Sequence, residues 1–366
     1  MELPTTQSNR LLSLDFFRGM TMFLLIGEFT GIFEALVDPV FEGGIIHAFA
    51  MQFHHHPWNG LRFWDLIQPF FMFIVGVAIP FSVRNREKKG EDNSSLTKHA
   101  FKRALLLLLL GWALYCIGPG RITFRFQNVL AQLSVTYLVA FLLRNKSWQI
   151  QLGISLGILL LTEIIYRTFG VAGFDQAYTP DQNFGAYVDL LISGELSGGH
   201  WVSFNAIPTT AHSIWGVLVG MLLMSDKSSK EKLKVLLIAG FAGVVLGYAL
   251  DPIIPIIKRI STSSFVIVSG GWSVLAMALC YWLIDVKGVK KWVPPFAIVG
   301  MNPLFIYLFA HVGGAALIKS MVKPFTYAFS GIITEIGAEI LTTSIVWYLL
   351  WYICYWLYKK EIFIRI

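Results

Sequence analysis

Apolar residues in this chain come in long unbroken blocks, without the two-residue alternation of a half-buried strand. A helix needs about 20 such residues to cross a bilayer core. Blocks of that size lie at 14–37, 63–83, 102–118, 126–143, 148–168, 205–224, 235–257, 264–284, 296–318 and 334–358, separated by polar or Pro/Gly-rich breaks. The third is short, because Pro119 and Gly120 stop it. A start at His99 lengthens it, with Lys102 and Arg103 snorkelling to the interface. Continuous runs favour helices over the alternating strands of a barrel. The expected fold is all-α: a polytopic helical membrane protein of about ten transmembrane helices, with residues 1–366 forming one domain.

Composition agrees and narrows the class. Of 366 residues, 55% are apolar and 14% charged, against about 25% charged in soluble domains. That argues against a soluble enzyme and equally against a disordered chain. Cys116, Cys280 and Cys354 each sit in an apolar run and give neither a disulfide framework nor a CxxC metal spacing. The net charge of +7 is explained by where the charges fall. If the N-terminus is cytoplasmic, 21 of the 29 basic residues lie on that side: Arg10 and Arg18, seven in 84–103, Arg144 and Lys146, four in 227–234, three in 287–291, and Lys359, Lys360 and Arg365. The other side holds Arg62, Arg121, Arg125, Arg167, Lys258, Arg259, Lys319 and Lys323. The positive-inside rule then puts both termini in the cytoplasm, as an even number of crossings requires. Basic residues spread along one membrane face give no nucleic-acid footprint. The first apolar block follows a polar tail, is too long for a signal h-region and lacks a small-residue cleavage site. The longest loop on the far side, 169–203, is Gly-rich and acidic, and reads either as a cover for an external site or as a solvated connector.

In such a chain the informative residues are ionisable groups among apolar ones. Glu28 lies within GMTMFLLIGEFTG, so it should face a polar cavity, carry a partner or be protonated. Asp15 and Arg18, at i and i+3, can form an interfacial pair, or Arg18 can help hold an anionic cofactor at the cytoplasmic surface. The densest polar cluster is QFHHHPWNGLRFWDLIQ, where Pro57 and Gly60 call for a fixed turn. Three adjacent histidines do not point one way on regular structure, and no HExxH spacing supports zinc, so no metal is expected. General-base chemistry suits the cluster better. A neutral imidazole can take a proton from an attacking amine or hydroxyl, with Glu28 or Asp65 fixing its tautomer. Trp58 offers a stacking face to a sugar ring and Asn59 a partner for its hydroxyls. The plain alternative is a polar turn at the interface, with Trp58 and Trp64 as belt anchors. His212, His311, Glu163 and Asn302 are isolated polar residues within blocks, of which His212 and Asn302 are candidates for lining a cavity.

RLLSLDFFRGMTM at 10–22, followed by FHHHPWNGLRFWDLIQPFFMFIVGVAIPFS at 53–82, resembles the heparan-alpha-glucosaminide N-acetyltransferase family of transmembrane acyltransferases. Weaker echoes recur in NVLAQLSVTYL at 128–138, IPTTAHSIWGVLVG at 207–220, PIIKRISTSSFVIVSGG at 255–271 and VGMNPLFIYL at 299–308. The resemblance implies transfer of an acetyl group from cytoplasmic acetyl-CoA to an amino sugar or glycan on the far side of the membrane. It implies a catalytic histidine three residues before the motif tryptophan, which is His55. His54 and His56 flank it and, with Trp58, Asn59 and Asp65, are candidates for contacting the acceptor. Where the family carries an asparagine this chain has Gly27-Glu28-Phe29, which makes Glu28 a second catalytic candidate. Arg18, Arg84, Lys102 and Arg103 are candidates for the CoA phosphates. His55 can act as general base in a ternary complex or be acetylated first. The resemblance also implies a bacterial-type member in an inner membrane, in contact with lipid and compatible with a homodimer. From another class, a secondary transporter of a polar solute, proton-coupled through Glu28, predicts paired halves that the sequence does not display.

Overall fold

A computed structural model describes residues 11–364; Arg10 and Arg365 lie outside the described residues. Eight described helices are long and apolar enough to cross a membrane: Phe63–Glu87, Asn93–Ile117, Trp148–Thr168, Ser203–Met224, Ser229–Leu250, Ser263–Val286, Pro303–Tyr327 and Glu335–Lys359. The two remaining predicted blocks fold as shorter helices, Leu12–Glu28 and Val129–Leu143. Among the described residues there is no strand, only an isolated bridge between Asn59 and Ile257. The chain is an all-α, polytopic membrane protein.

Four boundaries differ from the sequence reading, each for a local reason. The first block was expected to run to residue 37, but its helix stops at Glu28. The Thr30 hydroxyl donates to the Gly27 carbonyl (2.7 Å), and Gly31 takes φ +81°, a left-handed turn that glycine adopts without strain. Residues 84–103 are mostly helix rather than loop. Asp92 caps a helix beginning at Asn93 by accepting from the Ser95 N–H (3.0 Å). Lys102 and Arg103 therefore sit about 14 Å along that helix from its start, at 1.5 Å per residue. The block at 235–257 ends early, at Leu250, where Asp251-Pro252 follows. The block at 296–318 is interrupted at Gly300–Asn302, ahead of a helix opened by Pro303.

The residues group into two compact units. The first holds the chain up to His55, Arg62–Ile67 and everything from Cys280 on. Its N-terminal helix packs very closely on later segments: a Cβ on Gly19 would fall 2.0 Å from the Phe296 carbonyl oxygen. The indoles of Trp347 and Trp351 donate to the carbonyls of Phe23 (3.0 Å) and Pro295 (2.8 Å). Asn302 is fully buried, and both ends of its amide bind the terminal segment, at the Ile362 carbonyl and the Ile364 N–H. It is a clamp in this unit.

The second unit holds His56–Leu61 and Gln68–Leu279. Here Ile256, Ile257 and Ile260 are buried residues of the loop between helices Ser229–Leu250 and Ser263–Val286. That loop is held by the hydroxyls of Thr262 and Ser264, which both donate to the Pro255 carbonyl. The turn at 56–61 is pinned to it through the Gly60 N–H, which donates to the Ile256 carbonyl (2.8 Å). His212 is buried, with Nε2 2.9 Å from the Ser269 hydroxyl.

Candidate active site

In the first unit, segments 51–55 and 62–67 fold back on one another because aromatic side chains stack between them. Phe53 stacks on Phe33 (centroids 4.4 Å apart) and packs against Phe63 and Trp64. The Gln52 amide oxygen accepts from the Phe63 N–H (3.4 Å). This places His55 against Asp65, ten residues later, with Nδ1 2.9 Å from a carboxylate oxygen. The second carboxylate oxygen accepts from the Arg62 N–H (2.9 Å), and the Arg62 guanidinium donates to the His55 carbonyl (3.2 Å). The Asp65 side chain is 1% exposed and that of His55 32%.

An ionised carboxylate only accepts hydrogen bonds, so facing Asp65 the imidazole donates from Nδ1 and carries its lone pair on Nε2. A carboxylate-held imidazole, partly open to its surroundings, is the arrangement of a general base or a nucleophile. Either Glu28 or Asp65 was expected to fix the tautomer, and the structure gives that contact to Asp65. Glu28, the last residue of its helix rather than a mid-span residue, accepts from the Trp64 indole N–H (2.9 Å). Trp64, read from the sequence as a belt anchor, thus ties Glu28 to the residue beside Asp65. Only the tertiary fold shows that link.

The three histidines have separate surroundings. His54 Nε2 lies 3.3 Å from the Phe33 carbonyl. His56, in the second unit, lies over Gly60, where an added Cβ would fall 2.6 Å from its Nε2. Gly60 has φ +143°, so this turn requires glycine on both counts. Among the described residues no group of three or more His, Cys, Asp or Glu could hold a metal ion.

Trp58 and Asn59 also belong to the second unit. The Trp58 indole N–H donates to the Tyr178 carbonyl (2.8 Å), and Asn59 is exposed beside its bridge to Ile257. Of the phosphate candidates, Arg18 pairs with Asp15 (2.6 Å) in the first unit. In the second, Arg84 and Lys102 are exposed, and Arg103 lies over the Tyr137 ring (4.7 Å) with a buried Nε that has no hydrogen-bond partner.

Comparison with known proteins bears on what this arrangement serves. No family model matches the chain. Two curated proteins do: the heparan-alpha-glucosaminide N-acetyltransferases of Homo sapiens and Mus musculus, each 26% identical to it. The matches cover 98% and 100% of this chain. Over nearly its whole length the chain is similar to these N-acetyltransferases. It spans 60% of the human relative's length and 62% of the mouse relative's. That similarity gives the His55–Asp65 pair a reaction to be weighed against.

Proposed function

We propose that the protein is an integral membrane acetyltransferase that moves an acetyl group from acetyl-CoA, supplied on the cytoplasmic side, to an amino sugar or glycan on the opposite side. The observation that carries this reading is the His55–Asp65 pair: an imidazole fixed by a buried carboxylate, in a chain related to N-acetyltransferases over nearly its whole length. The amine nitrogen of the acceptor attacks the thioester carbonyl carbon. His55 Nε2 takes the proton that the nitrogen sheds, the C–S bond breaks, and the departing thiolate collects a proton. Asp65 stabilises the imidazolium formed on the way. We favour this general-base role for His55 over its prior acetylation, because direct attack needs no covalent intermediate.

Glu28 is assigned to positioning. By fixing the Trp64 indole it fixes the segment that carries Asp65. Arg84, Lys102 and Arg103 are assigned to the phosphates of CoA at the cytoplasmic end, and Arg18 to the same membrane face. The charge asymmetry supports that orientation, with both ends of this chain on the cytoplasmic side and ten crossings in all, the two shorter helices included.

The test is to incubate the purified protein with acetyl-CoA and a panel of amino sugars and glycans. The reading predicts CoA release above background that requires one acceptor. Release that is independent of acceptor, or absent throughout, overturns it.

A further inference from the structure

The 169–203 loop, whose sequence fitted either a cover or a connector, is neither loose nor featureless. It contains a helix, Phe184–Ser193, too short to cross a membrane. Two anchors, one buried and one half-buried, tie it down. Asp189, 2% exposed, accepts from the Ser203 N–H with both carboxylate oxygens (3.1 Å each). Tyr178 donates its hydroxyl to Glu163, which also pairs with Arg167. The same Tyr178 holds the Trp58 indole through its backbone carbonyl.

Between these anchors the loop builds a second histidine–carboxylate pair. His200 Nδ1 lies 2.6 Å from an Asp181 carboxylate oxygen. Both residues have left-handed backbones, with φ +59° and +60°, which non-glycine side chains rarely adopt. Strained conformations of this kind persist only where the surroundings impose them. The result is an imidazole set edge-on to Trp58, with ring centroids 6.1 Å apart, and 40% exposed. Trp58 itself is packed in a cluster with Tyr178, Phe184 and Phe204. Its position is therefore set by the loop.

We propose that His200, oriented by Asp181 and set against Trp58, is a binding subsite for a hexose ring of the acceptor. Trp58 supplies an apolar edge and His200 a hydrogen bond to a ring hydroxyl. The chemistry is that of sugar recognition: an indole for the C–H face and a directed polar group at its rim. His200 binds the acceptor here and takes no part in proton transfer at the reacting nitrogen. This inference rests on the acetyltransferase reading for the identity of the acceptor.

The test compares wild type with His200→Ala and Asp181→Asn, using glucosamine as the acceptor probe. The subsite predicts a rise of about 3- to 10-fold in the KM for glucosamine, the loss expected for one hydrogen bond. The KM for acetyl-CoA and kcat should stay within about twofold. An unchanged glucosamine KM, or a parallel rise in both KM values, overturns it. If His200→Ala does not fold, His200→Gln takes its place: it keeps a polar group without the imidazole geometry, and the same rise is expected. Calorimetric titration of glucosamine separates the two readings. A wild type that binds the sugar more tightly than the variant, yet releases no CoA, refutes the acetyltransferase and keeps the subsite. A wild type that does not bind the sugar refutes the subsite.

Discussion

The histidine–carboxylate pairs His55–Asp65 and His200–Asp181 differ in the half that usually receives less attention. In His55–Asp65 the carboxylate is 1% exposed, while in His200–Asp181 it is 33% exposed. The imidazoles are similar, at 32% and 40%. A buried carboxylate must keep its donors, because an unpaired charge in a low-dielectric interior costs several kcal/mol. Asp65 is thus bound to the imidazole and to the Arg62 N–H together, and it fixes one tautomer. A half-exposed pair is screened by water and contributes on the order of 0–1 kcal/mol, so it can open and remake its bonds around a ligand. Burial of the acid suits one pair to proton transfer and the other to recognition.

Asp65→Asn breaks the comparison most sharply. The amide still accepts from the Arg62 N–H but no longer stabilises an imidazolium, so kcat should fall about 10²- to 10⁴-fold. Asp181→Asn should leave kcat nearly unchanged. Equal losses in kcat, measured on folded protein, would remove the distinction.

Glu28 gives the next largest effect. Glu28→Ala should lower kcat about tenfold by releasing Trp64, and Glu28→Gln should recover most of it, since an amide oxygen still accepts the indole N–H. A transporter coupled through Glu28 predicts the opposite, because a glutamine cannot carry a proton. Uptake into proteoliposomes lacking acyl-CoA, abolished by Glu28→Gln, would favour that reading.

Gly60→Ala tests the turn that carries Trp58. The added methyl meets the His56 ring at φ +143°, which should cost about 1–3 kcal/mol, read as a lower Tm.

The smallest effect concerns the loop that presents His200. Burial raises the Asp189 carboxyl above its ordinary value near 3.8, against the opposing pull of its Ser203 bonds. Folding therefore favours the protonated acid. That contribution is complete below about pH 3.8 and is lost as the pH rises through the folded-state value. Asp189→Asn should flatten this part of the Tm–pH curve, while an unchanged slope would assign the pH dependence to other groups.

Much of this was legible in the sequence because a bilayer imposes a length and a composition that no packing detail can disguise. What escaped was local chemistry at the ends of helices. Glu28 looked mid-span until Thr30 and Gly31 turned the chain. Lys102 and Arg103 stood at the start of a predicted span until Asp92 capped a helix ten residues earlier. In the site, His55 and Asp65 both stood in one motif, and two carboxylates competed for the role of partner until the Phe33–Phe53 stack and the Trp64 bond separated them. His200 and Asp181 left no signal. They are 19 residues apart in an irregular loop, with no period to relate them, and only the fold brings them into contact.

The central claim is that His55, held by Asp65, carries out the transfer. Its most direct test is the rate of labelled acetyl transfer from acetyl-CoA to an amino sugar by wild type and His55→Ala, both shown to be folded in the membrane. The account predicts loss of at least about 10²-fold in the variant. Transfer at the wild-type rate would contradict it.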